Sequence, residues 1–161
     1  MGKQVNFLVT ATSAASPSAI YALLSDGATW PDWSPIDAFE LEKEGGTGGE
    51  SKGAIRVFTT GRSRSREELL ELRPGQLLSY SLLSGLPIRH HRATVSLQPA
   101  AEGTVITWQE VFETTRPGST WLLTRLLRRF VQKCADGLAA HASQVSGEPG
   151  KPAADRPFPA S

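Results

Sequence analysis

The stretch AIRVFTTGRSRSREELLELRPGQLLSYSLLSGLPIRHHRATVSLQPAAEGTVITWQEVFE, residues 54–113, decides the fold. Apolar and polar residues alternate along it, and turn residues punctuate it at short intervals, which is the pattern of successive antiparallel strands. Thr60-Gly61-Arg62-Ser63 reads as a two-residue hairpin turn that sets Arg56 opposite Glu67 and Phe58 opposite Ser65. Arg73-Pro74-Gly75-Gln76 carries proline and glycine at its central positions and sets Leu69 opposite Tyr80 and Glu67 opposite Leu82. Ser84-Gly85-Leu86-Pro87 turns the chain again and places His91 near Tyr80 and Ala93 near Leu78. The turn around Pro99 to Gly103 places Val95 opposite Trp108 and Ala93 opposite Glu110.

Each turn is read independently, yet one face collects Phe58, Leu69, Tyr80, Leu82, Ala93, Val95, Leu97, Ile106, Trp108 and Phe112. A slip of one residue at any turn would scatter that set. The same face collects Arg56, Glu67, His91 and Glu110. An apolar face with a few convergent ionisable groups suits a small-molecule pocket better than a plain core. The opposite face, with Arg64, Arg66, Glu68, Ser79, Ser81, His90, Arg92 and Thr94, reads as the solvent side.

The flanks complete the order. Val5, Phe7, Val9 and Ala11 alternate in a first strand at about 4–12. Ser16-Pro17 is an N-cap followed by a first-turn proline, opening a short helix that ends near Asp26-Gly27, where glycine permits a left-handed C-terminal turn. A loop with two tryptophans, Trp30-Pro31-Asp32-Trp33-Ser34-Pro35, leads to a second strand at about 37–44, and Gly45 to Gly49 form a flexible connection. After Pro117-Gly118-Ser119 a long helix runs from about 119 to 144, with Leu123, Leu126, Leu127, Phe130, Cys134, Leu138 and His141 at helical spacing. That helix is the expected cover for the apolar sheet face. Residues 146–161, rich in proline, glycine, alanine and serine, read as a disordered tail behind a single domain over 1–145.

The 161 residues carry a formal net charge of +1, so the bulk charge offers no strong field for nucleic acid or an anionic membrane. The one cysteine, Cys134, excludes an internal disulfide. No apolar stretch is long enough for an integral membrane segment, and the cytoplasm is the expected location. No cofactor is called for. The three histidines, His90, His91 and His141, give no metal site, because adjacent strand residues point to opposite faces.

The order of strand, short helix, long antiparallel sheet and long C-terminal helix resembles the helix-grip fold. Trp30-Pro31-Asp32-Trp33-Ser34-Pro35, Gly53-Ala54-Ile55-Arg56, Arg66-Glu67 ahead of Arg73-Pro74-Gly75, and Gly103-Thr104-Val105-Ile106-Thr107-Trp108 resemble the polyketide cyclase/dehydrase and lipid-transport superfamily. That superfamily includes START domains and birch-pollen-allergen-like proteins, and the likeness covers roughly residues 3–145. It implies an α+β fold, with a curved antiparallel sheet wrapped around the C-terminal helix and a cavity between them for an apolar ligand.

Several function classes remain open on these residues. The first is binding of a small, largely apolar molecule, such as a lipid, polyketide or aromatic metabolite, by Trp33, Arg56, Phe58, Leu69, Leu82, Val95, Trp108, Phe112, Leu126 and Phe130. The second is an enzyme of the polyketide cyclase/dehydratase kind, with Glu110, Glu67, His91 and Tyr80 as candidate acids and bases. The third is an interaction module like the superfamily's chaperone activators. Beside each sharp role stands a plainer one. Arg56 and Glu67 read equally as a cross-strand ion pair, His91 as a residue hydrogen-bonded to its neighbour, Cys134 as a packed thiol, and Trp30 as structure where Trp33 lines the pocket. A space of at least a few hundred Å³ is expected between the helix and the sheet. Monomer and homodimer are both open.

Overall fold

A computed structural model describes residues 3–146, so the expectation for the C-terminal tail lies outside the described residues. Seven antiparallel strands form one sheet: β1 Gln4–Ser13, β2 Ala38–Lys43, β3 Ile55–Thr60, β4 Ser63–Arg73, β5 Leu77–Ser84, β6 Ile88–Ala100 and β7 Gly103–Thr114. Their spatial order is β1-β7-β6-β5-β4-β3-β2, so the chain ends of the sheet come from the two strands before Ile55. Helices α1 (Pro17–Ser25) and α2 (Trp30–Trp33) lie between β1 and β2, and α3 (Thr120–Ser146) packs mainly against β1. This is the helix-grip architecture expected from the sequence.

The derived register holds at three of the four turns. Arg56 faces Glu67 and Phe58 faces Ser65; Leu69 faces Tyr80 and Glu67 faces Leu82; Val95 faces Trp108 and Ala93 faces Glu110. The β5–β6 pairing differs. Tyr80 lies opposite Ala93 and Leu78 opposite Val95, two residues away from the expected His91 and Ala93. The turn is wider than two residues, and β6 is irregular between Arg89 and Arg92, with His90 in left-handed backbone at φ 53°. A shift of two preserves the face, which is why the apolar set survives intact. Phe58, Leu69, Ala93, Val95, Ile106, Trp108 and Phe112 are all buried, and His90 is exposed. On the other face Ser79 is buried rather than solvated, because the Arg92 guanidinium covers it with a 3.2 Å hydrogen bond.

Three local expectations are corrected. Ser16 caps α1 as expected, accepting from Ala19 N at 3.2 Å, but Gly27 does not adopt the left-handed turn. Asp26 accepts from Ala28 N and starts a 3-10 turn instead, and Gly27 is small because the Phe39 ring occupies the space a Cβ would need. Trp30 to Trp33 is one helical turn, not a loop. The glycine-rich run after β2 is held by backbone hydrogen bonds from Gly45 N to Gly49 O and from Gly46 N to Lys52 O.

The long helix is divided in its packing. Val131, Cys134, Ala135, Leu138, Ala139 and Ala142 are buried, and Gly137 brings the helix backbone against the Trp33 carbonyl, where any Cβ would collide. Toward its N-terminus the helix lifts from the body. Leu126, expected on the inner stripe, is 54% exposed, while Leu123, Leu127 and Phe130 are half-buried. Small residues therefore fix the second half closely, and the larger side chains of the first half stand over a gap.

Candidate functional site

The gap is floored by the sheet and walled by aromatic rings. Trp30 stands at its back, stacked on Phe58 with centroids 4.7 Å apart and edge-on to Trp108 at 5.8 Å. Its Nε1 donates to the Leu24 carbonyl at 3.1 Å, which anchors it as structure. Behind these rings lies Arg56, fully buried. Its guanidinium donates to Leu24 O at 3.1 Å, to Glu50 Oε2 at 3.3 Å and to Glu67 Oε1 at 3.0 Å, and it lies over the rings of Trp30 and Phe58 at 4.9 and 5.1 Å. Both readings of the Arg56–Glu67 pair thus meet in one place: it is a cross-strand ion pair, and Glu67 also lines the cavity. Glu50, a partner that sequence reasoning missed, comes from the glycine-rich loop and also takes two hydrogen bonds from Gly27 N. No periodicity marks a loop residue, so only the structure reveals it.

The cavity itself measures about 90 Å³. Glu67, Tyr80, His91 and Glu110, the four candidate acids and bases, all line it, together with Trp30, Phe58, Leu82, Trp108, Phe130 and Cys134. Outside it runs a groove of about 310 Å³ that reaches Leu123 and Leu126 on α3 and Leu86 on the β5–β6 turn. Phe58, Thr60, Ser65, Leu86, Leu127 and Phe130 border both spaces. The enclosed volume is smaller than expected, because Trp30 and the half-buried Phe130 fill part of the span. The groove supplies the larger space.

Among the residues proposed for binding, Phe58, Leu82, Trp108 and Phe130 line the cavity and Leu126 lines the groove. Leu69, Val95 and Phe112 are fully buried and line neither, and Arg56 sits behind the aromatic wall. Trp33 likewise packs inward, 4.7 Å from Trp30, with its Nε1 on Thr29 Oγ1 at 3.1 Å. Ile36, Leu127 and Val131 line the cavity without having been singled out.

The irregularity in β6 builds the polar centre. Because the β5–β6 ladder stops at Tyr80–Ala93, the Leu82 N–H is released from the sheet and donates to His91 Nδ1 at 2.8 Å. An Nδ1 that accepts a backbone proton leaves the imidazole proton on Nε2. Nε2 lies 2.7 Å from Glu110 Oε1 and donates to it. Both residues are buried. Tyr80 stands beside them, its ring 5.9 Å from that of His91, and its hydroxyl oxygen accepts from Trp108 Nε1 at 3.2 Å. Among the described residues no acceptor meets the Tyr80 hydroxyl proton. No donor there meets the second carboxylate oxygen of Glu67 or Glu110.

Burial pushes the Glu67 carboxyl up, and Arg56 offsets this only in part. Burial, reinforced by the charges of Glu110 and Glu67, holds Tyr80 well above the usual phenol range, so it remains a neutral donor. The same causes raise Cys134, which makes it a packed thiol rather than a nucleophile. Among the described residues no group of three or more metal-ligating side chains converges, and no helix is long and apolar enough to cross a membrane.

A family model described as "Polyketide cyclase / dehydrase and lipid transport" matches residues 4–143. The chain belongs to this family. No curated protein matches it in sequence. Among solved structures, this family member is similar to the aromatase/cyclase Zhui from Streptomyces sp. R1128, with a TM-score of 0.70 at 17% identity, over 93% of this chain and 99% of that one. A START superfamily protein from Mycobacterium smegmatis superposes with a TM-score of 0.71 at 17% identity, covering 89% and 99%. The di-domain aromatase/cyclase StfQ of the steffimycin biosynthetic pathway gives a TM-score of 0.71 at 19% identity over 89% of this chain, which spans 52% of StfQ. At these identities the likeness establishes the fold.

Proposed function

We propose that this protein binds a small, largely apolar molecule with a polar, hydrogen-bonding head. The head sits among Glu110, Glu67 and Tyr80, and the apolar remainder passes Trp108, Phe58 and Phe130 into the groove beside α3. The observation that carries this reading is the convergence of Glu67, Tyr80, His91 and Glu110 on one aromatic-walled cavity, where each carboxylate keeps one oxygen, and Tyr80 its hydroxyl proton, free of protein partners. A hydroxyl or enol head, donor and acceptor at once, can donate to one of these carboxylates and accept from Tyr80. Trp30 and Trp108 line the cavity and serve as reporters. Titration with 2-naphthol should quench tryptophan fluorescence with saturation, and 2-methylnaphthalene, which has the same ring system without the hydroxyl, should bind at least about tenfold more weakly. Equal affinity for the two, or no saturation with either, would refute the proposed head-group site. Native mass spectrometry of the protein as purified would identify a retained molecule.

The paired His91 and Glu110 support a second reading, a cyclase/dehydratase-type enzyme. In it Glu110 takes a proton from carbon next to a ligand carbonyl. Tyr80 donates its hydrogen bond to the carbonyl oxygen as the enolate forms, and His91 Nε2–H steadies the carboxylate. Deuterium exchange into the acidic carbon of a β-dicarbonyl probe, followed by NMR, tests it. Exchange no faster with protein than with buffer leaves binding alone.

A further inference from the structure

The first half of α3 presents a largely exposed face. Trp121, Leu122 and Leu126 are 67, 45 and 54% exposed. On the helix they interleave with Arg125, Arg128, Arg129 and Lys133, all exposed. At 100° per residue these seven side chains occupy less than half of the helix circumference. Between Glu113 and Asp136 the chain has five cations (Arg116, Arg125, Arg128, Arg129 and Lys133) and no acid. Among the described residues none of the five pairs with a carboxylate. Arg128 is engaged by the Phe7 ring and the Leu8 carbonyl, which leaves the others directed outward. A net charge of +1 for the chain therefore conceals a strongly cationic segment.

We propose that this face docks on an anionic lipid bilayer. Trp121, Leu122 and Leu126 enter the interface, and Arg125, Arg129 and Lys133 meet the headgroups. Exposed aromatic and aliphatic side chains set among cations, on a helix whose other face is buried, match the physics of interfacial binding. A tryptophan at the head of the patch is the side chain best suited to the headgroup boundary. A nucleic-acid surface would explain the cations and leave Trp121, Leu122 and Leu126 without a role. A second copy of the chain would bring the same cations against one another. The location adds a consequence. Leu126 belongs both to this face and to the groove leading to the cavity, and Leu86, exposed on the β5–β6 turn, lines the same groove. Docking would place the groove at the bilayer. The inference itself does not depend on what the cavity binds.

The test is cosedimentation of the full chain with vesicles of phosphatidylcholine, with and without phosphatidylserine. Binding is expected only to the anionic vesicles and should weaken as salt rises. Reversing two charges in Arg125→Glu/Arg129→Glu should lower the partition coefficient at least about 30-fold, while Arg125→Lys/Arg129→Lys should retain it. Trp121→Ala should lose on the order of tenfold. These positions are exposed, so circular dichroism should confirm unchanged folding. Should a variant misfold, brominated lipid provides the check on the wild type, quenching it more than Trp121→Phe. Three results would overturn the proposal: no preference for anionic vesicles, binding indifferent to the double charge reversal, or a dimer that Trp121→Ala converts to monomer. Binding to single-stranded DNA that matches vesicle binding and ignores Trp121→Ala would assign the face to nucleic acid instead.

Discussion

Replacing Arg56 by methionine isolates what the buried guanidinium does, because its three acceptors are affected unequally. Leu24 O keeps the Trp30 Nε1 donor, and Glu50 keeps its two hydrogen bonds from Gly27 N. Glu67 loses its cation and its one protein donor. The cost is therefore that of leaving one buried carboxylate unpaired, about 3–5 kcal/mol when it is ionised. In a domain of this size that corresponds to a loss of roughly 6–20 °C in melting temperature at neutral pH. The cost must depend on pH. Glu67 already titrates above its ordinary range when folded, so its ionisation lowers stability as pH rises from the unfolded pKa through the folded one. Removing Arg56 takes away the largest effect that lowers this pKa, so the folded value rises further and the penalty grows across the same direction of pH. Below the unfolded pKa, Glu67 is neutral in both states and the penalty shrinks. Chemical denaturation of wild type, Arg56→Met and Arg56→Met/Glu67→Leu at pH 5 and pH 8 tests this. The single variant should lose more at pH 8, and the double variant should recover most of that loss. Equal losses at both pH values, or a double variant no better than the single one, would refute the assignment of the cost to Glu67.

Three further outcomes are expected. Gly137→Ala should destabilise by about 1–3 kcal/mol in denaturant titration, since a Cβ there meets the Trp33 carbonyl and the helix must shift. Cys134, buried and with its thiol pushed up by burial, should resist Ellman's reagent at pH 8 until denaturant is added, and rapid labelling of native protein would contradict the packing described. Glu110→Ala should cost about 1–3 kcal/mol by stranding His91 Nε2–H, whereas Glu110→Gln, whose amide oxygen can still accept that proton, should cost far less yet weaken 2-naphthol about 10- to 100-fold.

The sheet face was legible in the sequence because strand periodicity is two, and a register error of two leaves every side chain on its own side. That tolerance is why all four candidate acids and bases were placed on the cavity face although the β5–β6 turn was read too short. The irregularity at His90 was not legible, since a histidine in left-handed backbone carries no glycine to announce it. The helix misled for a different reason. Leu123, Leu126, Leu127 and Phe130 have the spacing of a core stripe, but spacing does not say which half of a long helix is held. The signal lay in the small residues, Ala135, Gly137, Ala139 and Ala142, which allow close approach and so tie down the second half. Glu50 was hidden because a glycine-rich loop has no period from which a direction can be read.

Glu67 and Glu110 occupy equivalent places in the alternation, yet their surroundings differ in kind. Glu67 faces a guanidinium that is itself shared with Glu50, so one cation serves two carboxylates and Glu67 is only partly compensated. Glu110 faces an imidazole whose second nitrogen is committed to the Leu82 N–H, so His91 meets it with a single Nε2–H donor where Glu67 meets a guanidinium. On the function proposed here the roles divide accordingly. Glu67, tied to Arg56 and the aromatic wall, orients the ligand and fixes the local structure, and Glu110, held by His91 alone, is the carboxylate with an oxygen open to the ligand. A ligand that brings a donor satisfies Glu110 and stays; a ligand that brings an acidic carbon gives it a proton to take. The distinction between carrier and enzyme then rests on the chemistry of what enters the cavity more than on any further residue of the chain.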